Sequence, residues 1–214
     1  MLKKLLIALI IISFVIFNLK AGEDNMVKLP EPQRQGGMPL MEALNKRKTI
    51  RDFKDKKLSE QTLSNLLWAA FGINRPESGK RTAPSAVNWQ EIEIYVSSKS
   101  GVYLYNAQQH ALEKIINKDI REQTGSQDFV DDAAINLVFV ADYTKMGEDM
   151  TDEAKKYYSW CDTGYISQNV YLFCASEGLA TVVRGMVDRD KLRKIINLKN
   201  HQRIVLAQTV GYPK

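Results

Sequence analysis

A chain of 214 residues, 44% of them hydrophobic, is long enough for one domain of ordinary size with its own core and needs no disulfide staples. Its 30 Lys and Arg outnumber 25 Asp and Glu, but Lys3, Lys4 and Lys20 fall in the first 21 residues, and without them the balance is 27 − 25 = +2. That near-neutral remainder gives no case for nucleic acid or a membrane surface as partner.

Residues 1–21 read as a secretory signal: Met1-Leu2-Lys3-Lys4 is a positive start, residues 5–17 are almost wholly apolar, and Leu19-Lys20-Ala21 ends on a small residue. The apolar run is shorter than the roughly 18 residues of a comfortable span. Export to a periplasmic space after cleavage at Ala21 is therefore expected. An uncleaved N-terminal membrane anchor is the alternative, because Leu19 fits the small-x-small pattern poorly.

Residues 22–38, with Pro30, Pro32, Gly36 and Gly37, read as a linker, so the folded domain is expected over 39–214. Leu40, Met41 and Leu44 start a helix after Pro39. A second helix runs from an N-cap at Ser59 through Leu63, Leu66, Leu67 and Ala70 to Gly72. Residues 73–90 form a long Gly/Pro/Ser/Asn loop, of the kind that is usually functional or disordered. Ile92, Ile94 and Val96 alternate with polar residues and Val102-Tyr103-Leu104-Tyr105 returns, which predicts a hairpin. Residues 134–141 read as a buried strand, 152–177 as a long helix stopped by Gly178, and 203–210 as a closing strand. Helices and strands interleave without a βαβ period, which favours an α+β fold over a Rossmann-type sheet.

Cys161 and Cys174 are the two cysteines. On one helix their 13-residue separation is roughly 20 Å, beyond the about 7 Å that a disulfide allows. Both read as buried structural cysteines, and two thiols make no metal site.

Three segments carry chemistry. Arg47-Lys48-Thr49-Ile50-Arg51 puts three cations and a hydroxyl where a helix ends, a composition suited to a phosphate dianion as much as to a solvated basic face. Pro84-Ser85-Ala86-Val87-Asn88-Trp89-Gln90 offers small residues that let a flat ligand approach and an amide that both donates and accepts. Gly178-Leu179-Ala180-Thr181-Val182-Val183-Arg184-Gly185-Met186-Val187-Asp188 could expose backbone N–H groups to a ring nitrogen, or could be an ordinary helix end and strand. His110 and His201 are the only histidines and read as surface or hairpin residues.

In this order, with Gly101-Val102-Tyr103-Leu104-Tyr105-Asn106, His110-Ala111-Leu112, Gly164-Tyr165-Ile166-Ser167-Gln168-Asn169-Val170-Tyr171-Leu172 and Gly211-Tyr212-Pro213, these segments resemble the nitroreductase family over residues 39–213, and within it the SagB/ThcOx-type dehydrogenase branch. The resemblance implies a central, mostly antiparallel sheet flanked by helices, in a homodimer with two FMN sites at the subunit interface. It places Arg47, Lys48, Thr49 and Arg51 on the phosphate and ribityl oxygens, Pro84, Ser85 and Asn88 beside the isoalloxazine, and Gly185 and Met186 against flavin N5. Family members commonly continue past Gly-Tyr-Pro with further basic residues; this sequence offers Lys214 alone. The azoline-forming members use a Lys-Tyr pair for proton removal, and Lys156 with Tyr157 or Tyr158 falls at a comparable place. The implied activity is hydride transfer to or from a small organic substrate, a nitro compound, a quinone or similar, with NAD(P)H as a candidate donor. A non-catalytic flavin-binding scaffold and a SagB-like azoline dehydrogenase are the alternatives. Export would separate the protein from cytoplasmic NAD(P)H, and then the flavin would need another partner.

Overall fold

The computed structural model describes residues 25–214, so the expected signal lies outside the described residues. The frame is an eight-stranded antiparallel sheet. In chain order it comprises β1 (Met26–Lys28), β2 (Phe53–Lys54), β5 (Ile92–Ser98), β6 (Gly101–Asn106), β7 (Ala111–Ile116), β8 (Ile135–Asp142), β9 (Ala180–Arg184) and β10 (Gln202–Pro213), while β3 (Ile73–Arg75) and β4 (Lys80–Arg81) form a separate ribbon. The spatial order is β1-β7-β6-β5-β8-β10-β2, and β9 also pairs with β10. Four helices pack around it: α1 (Leu40–Lys46), α2 (Glu60–Phe71), α3 (Asp152–Glu177) and α4 (Arg189–Ile195). The expected α+β class is what the chain adopts.

The strand patterns follow from a sheet covered on both faces. Leu137, Phe139 and Ala141 of β8 join Ile92, Ile94 and Val96 of β5 in a core with Leu66 and Leu67 of α2 and Ile166 and Val170 of α3. Val138 and Val140, with Tyr95, join a second core with Leu192 of α4 and Ile196. Alternate residues thus enter opposite cores, which is why β8 reads as a continuous apolar run.

The helix ends are set by their caps. Ser59 Oγ accepts from Thr62 N at 3.0 Å to start α2, and Thr151 Oγ1 accepts from Ala154 N at 3.2 Å to start α3. Gly178 closes α3 in the left-handed region at φ 66°, a conformation glycine adopts without a Cβ penalty. No helix among the described residues is long and apolar enough to cross a membrane.

Two expectations need correction. Of the stretch read as a linker, residues 26–38 belong to the domain: β1 pairs with the edge of β7, Leu29 is buried, and Gln33 N donates to Asn65 Oδ1 of α2 at 2.9 Å. Its prolines remove N–H groups, and several of the remaining backbone groups find partners on β7, α2 and α3. Cys161 is exposed on α3, and only Cys174 is a buried cysteine.

Candidate functional site

The cationic run leaves α1 as extended chain and lies along β9, where Ile50 N donates to Thr181 O at 3.1 Å. Tyr171 of α3 organises it. Its hydroxyl sits 3.0 Å from Thr49 Oγ1 and accepts from Val183 N at 3.0 Å, while the Arg47 guanidinium lies 5.3 Å from its ring centre. One side chain therefore ties the run to the strand that leads into Gly185.

The chain's end is brought to the same place. Tyr212 and Pro213 pair with Lys54 and Phe53, and Lys214 N donates to Asp52 O at 3.3 Å. The Lys214 ammonium is 3.6 Å from Asp132 and 3.9 Å from Asp52. Arg47, Lys48 and Arg51, by contrast, make no carboxylate ion pair among the described residues. A cleft of about 510 Å³ lined by Lys48, Ile50, Tyr171, Thr181 and Pro213 opens beside them.

The loop of residues 84–90 is held elsewhere on α3. Ala86 N donates to Asp162 Oδ2 at 2.8 Å, and Trp89 meets Tyr158 edge-on with ring centres 5.6 Å apart. Asp162 and Tyr171 are nine residues apart, roughly 14 Å along the helix. Val87, Asn88 and Gln90 have φ of 50°, 60° and 50°, the left-handed region that non-glycine residues occupy only when their surroundings force it. The Ser85 hydroxyl accepts from Gln90 N at 2.8 Å and donates to Glu91 Oε2 at 3.2 Å, so it shapes the loop. Asn88 is exposed at its tip, its Oδ1 accepting from Gln90 Nε2 at 3.1 Å.

Gly185 and Met186 follow β9. The Gly185 carbonyl accepts from Val187 N at 3.0 Å and Arg189 Nη1 at 3.3 Å, and the Met186 carbonyl accepts from Ser126 N at 3.3 Å; the Met186 side chain is exposed. A cleft of about 790 Å³ joins Gly185 to Tyr143, Lys156, Trp160, Arg189 and Arg203. Lys156 and Gly185 thus share one cleft. Tyr157 is not among its lining residues: its ring is exposed and packs edge-on against Tyr158 at 5.8 Å.

Four polar residues at or near the site were not legible as such. Tyr171 and Asp162 are hidden on the buried face of α3, and Glu91 is buried at the start of β5. Arg184 is 3% exposed, with Nε on Thr209 Oγ1 at 2.8 Å, Nη1 on Thr124 O at 3.0 Å and Nη2 on Asn136 Oδ1 at 3.0 Å. Burial pulls its pKa down to about 10, leaving it charged at neutral pH. The one available signal was a charge inside the apolar stretch Val182-Val183-Arg184. The histidines lie elsewhere: His110 bridges Ser64 Oγ at 2.7 Å and Tyr105 OH at 3.0 Å, and burial lowers its pKa. No cluster of metal-binding side chains occurs among the described residues.

The same chain pattern recurs in known proteins. Residues 44–212 match the model of the Nitroreductase family. A provisionally named nitroreductase of Methanocaldococcus jannaschii is 28% identical over 195 residues, which cover 86% of this chain and 96% of that relative. A crystal structure of a provisionally named nitroreductase from Ralstonia eutropha JMP134 superposes with a TM-score of 0.84 at 41% identity, covering 89% of this chain and 90% of that one. The NADPH:FMN oxidoreductase of Vibrio harveyi, solved with NAD+, shares the fold at 18% identity with a TM-score of 0.61, over 82% of this chain and 69% of that one.

Proposed function

The chain belongs to the nitroreductase family, and from that premise we propose that it is an FMN-dependent oxidoreductase exchanging hydride with a small organic substrate such as a nitro compound or a quinone. The observation that carries this reading is the Tyr171 hub, which holds a run of cations free of carboxylate partners against the strand entering Gly185. Free guanidinium and ammonium groups beside a cleft are the donor set that a phosphate monoester requires. The residues present therefore fit FMN.

Arg47, Lys48 and Arg51, with the Thr49 hydroxyl, would hold the phosphate. Lys214 adds a cation beside them, but its ammonium is shared with Asp132 and Asp52, so the run supplies most of the positive field. Pro84 and Ser85 lie in the loop that would present the Asn88 amide to the ring edge, and Gly185 and Met186 would face N5. Bound FMN supplies hydride exchange at N5, while the protein supplies binding, orientation and shelter from water. Lys156 shares the Gly185 cleft and would hold or move a proton there, whereas Tyr157 does not line it.

We propose a homodimer, a reading that the layout supports. One chain keeps its loop tip and its cationic run far apart along α3, and it exposes Leu40, Met41 and Leu44 of α1 and Tyr157, Trp160 and Tyr165 of α3. Two chains apposed on these faces would bury that apolar surface in a two-fold interface. The export reading of residues 1–21 stands beside this as a proposal; mature protein in the cytosolic fraction would defeat it. If it holds, a donor other than NAD(P)H is required.

The test is Arg47→Ala. Losing one charge-assisted contact costs about 1.5–3 kcal/mol, which raises the FMN dissociation constant about 10- to 150-fold. Riboflavin, lacking the phosphate, should bind wild type and variant alike. Undiminished FMN occupancy in Arg47→Ala would show that the run is not the phosphate site.

A further inference from the structure

Under the loop of residues 84–90 two buried carboxyl groups meet with no cation between them. Glu91 is 0% exposed and Asp162 3%. Neither forms an ion pair among the described residues. Each carries part of the loop: Asp162 Oδ2 accepts from Ala86 N at 2.8 Å, and Glu91 Oε2 accepts from the Ser85 hydroxyl at 3.2 Å. Glu91 Oε1 has no hydrogen-bond partner, and because Ser85 and Ala86 are consecutive residues the two carboxyl groups that hold them are brought to one place.

The surroundings of Glu91 are few. Its own backbone N–H and the Ser85 hydroxyl favour the ionised carboxyl, β8 contributes the Asp142 N–H to the Glu91 carbonyl at 2.9 Å, and α3 contributes Asp162, the one titratable side chain that bears on Glu91. Two buried negative charges without a counter-ion repel each other and are poorly solvated, so one proton is retained between such groups. That proton also gives Oε1 the partner it lacks. Burial first, and Asp162 second, push the Glu91 carboxyl up to about 7.

We propose that Glu91 and Asp162 share one proton, and that this acid pair is the latch holding the strained loop of residues 84–90 on α3. Glu91 is then a positioning residue for the loop, and its bearing on the cofactor rests on the flavin reading above. The left-handed residues Val87, Asn88 and Gln90 are held from two sides: Arg81 and Gly79 take the Gln90 amide, and Asp162 and Glu91 take Ala86 and Ser85 at the start of the loop. When the shared proton leaves, two carboxylates face each other and the loop is pushed from α3, carrying Trp89 away from Tyr158.

The decisive experiment needs no flavin. In apo protein labelled with 5-fluorotryptophan, the Trp89 fluorine resonance, assigned with Trp89→Phe, is followed from acid to alkaline pH in wild type and in Glu91→Gln. The amide of Glu91→Gln donates to Asp162 at every pH, mimicking the protonated pair. The wild-type resonance should move in a single one-proton step near neutrality, and that of Glu91→Gln should stay at the acid-limit position. An infrared carbonyl band of a protonated carboxyl should disappear over the same step and be missing from Glu91→Gln. A Trp89 titration unchanged by Glu91→Gln, or no such band in wild type, would overturn the proposal. FMN affinity should follow the same step; failure to bind FMN with the titration intact would count against the flavin reading alone.

Discussion

Gly125→Ala should be among the most damaging single substitutions in this protein, although Gly125 touches no ligand-facing residue directly. Its backbone is extended, φ −178° and ψ 171°, which any residue adopts, so the glycine is required by space. An added Cβ would lie 1.8 Å from Arg184 Nη1 and 3.0 Å from Cζ. The guanidinium cannot swing aside cheaply, because it is buried, charged, and held by Thr209, Thr124 and Asn136 without a carboxylate. Displacing it loses two charge-assisted bonds at about 1.5–3 kcal/mol each, within the about 3–5 kcal/mol seen when a buried charge loses its partners. Alanine returns about 0.4–1 kcal/mol by restricting the unfolded chain. The expected net loss is about 3 kcal/mol, read as a fall of about 1 M or more in the urea midpoint. A double-mutant cycle identifies the cause: in an Arg184→Met background the clashing atom is gone, and Gly125→Ala should then be neutral within about 0.5 kcal/mol. Additive losses would refute the reasoning. Because Ser126 N holds the Met186 carbonyl, the same substitution should also weaken flavin binding.

The other predictions rest on single contacts. The Glu91 carboxyl goes from an ordinary 4.5 in the unfolded chain to about 7 when folded, so between those values the folded state binds more protons and stability falls as pH rises. That window is worth about 3 kcal/mol; Glu91→Gln should match wild type at the acid end and exceed its stability by about that amount at about pH 8. Tyr171→Phe leaves the Val183 N–H without its acceptor, a loss of about 1–3 kcal/mol or roughly 2–4 °C in Tm per kcal/mol by calorimetry. Thr49→Val, at a half-buried hydroxyl, should cost less. Gly164→Trp meets no atom within 4 Å of the added Cβ in one chain, so monomer stability should persist while sedimentation shows the dimer lost; an intact dimer would place the interface elsewhere.

Elements with local signals were legible. The limits of α3 matched because Thr151, an acidic first turn and Gly178 are punctuation within one segment. The α2 cap at Ser59 and the β5–β6 hairpin were legible for the same reason. Segments whose structure depends on distant partners were not. The stretch 26–38 has a linker's composition, yet β7 and α2 take up several of its backbone groups; β7 itself shows no clean apolar alternation, since Ile115 is exposed alongside Glu113. The ribbon of β3 and β4 lies inside a segment whose Gly and Pro content reads as plain loop. The cationic run could be seen, but not which hydroxyl would hold it.

The face of α3 explains why the site was harder to read than the fold. Its buried positions include Ser159, Asp162, Thr163, Ser167 and Tyr171 among the apolar ones, and this mixture weakens the amphipathic pattern that sequence reading depends on. Those polar positions anchor the segments of the candidate site: Asp162 takes the loop of residues 84–90 and Tyr171 takes the cationic run and β9, while Lys156 on the same helix lines the Gly185 cleft. A helix used only to fill the core would place aliphatic side chains there and gain stability. Here one helix of 26 residues instead fixes the spacing between a loop, a cationic run and a cleft.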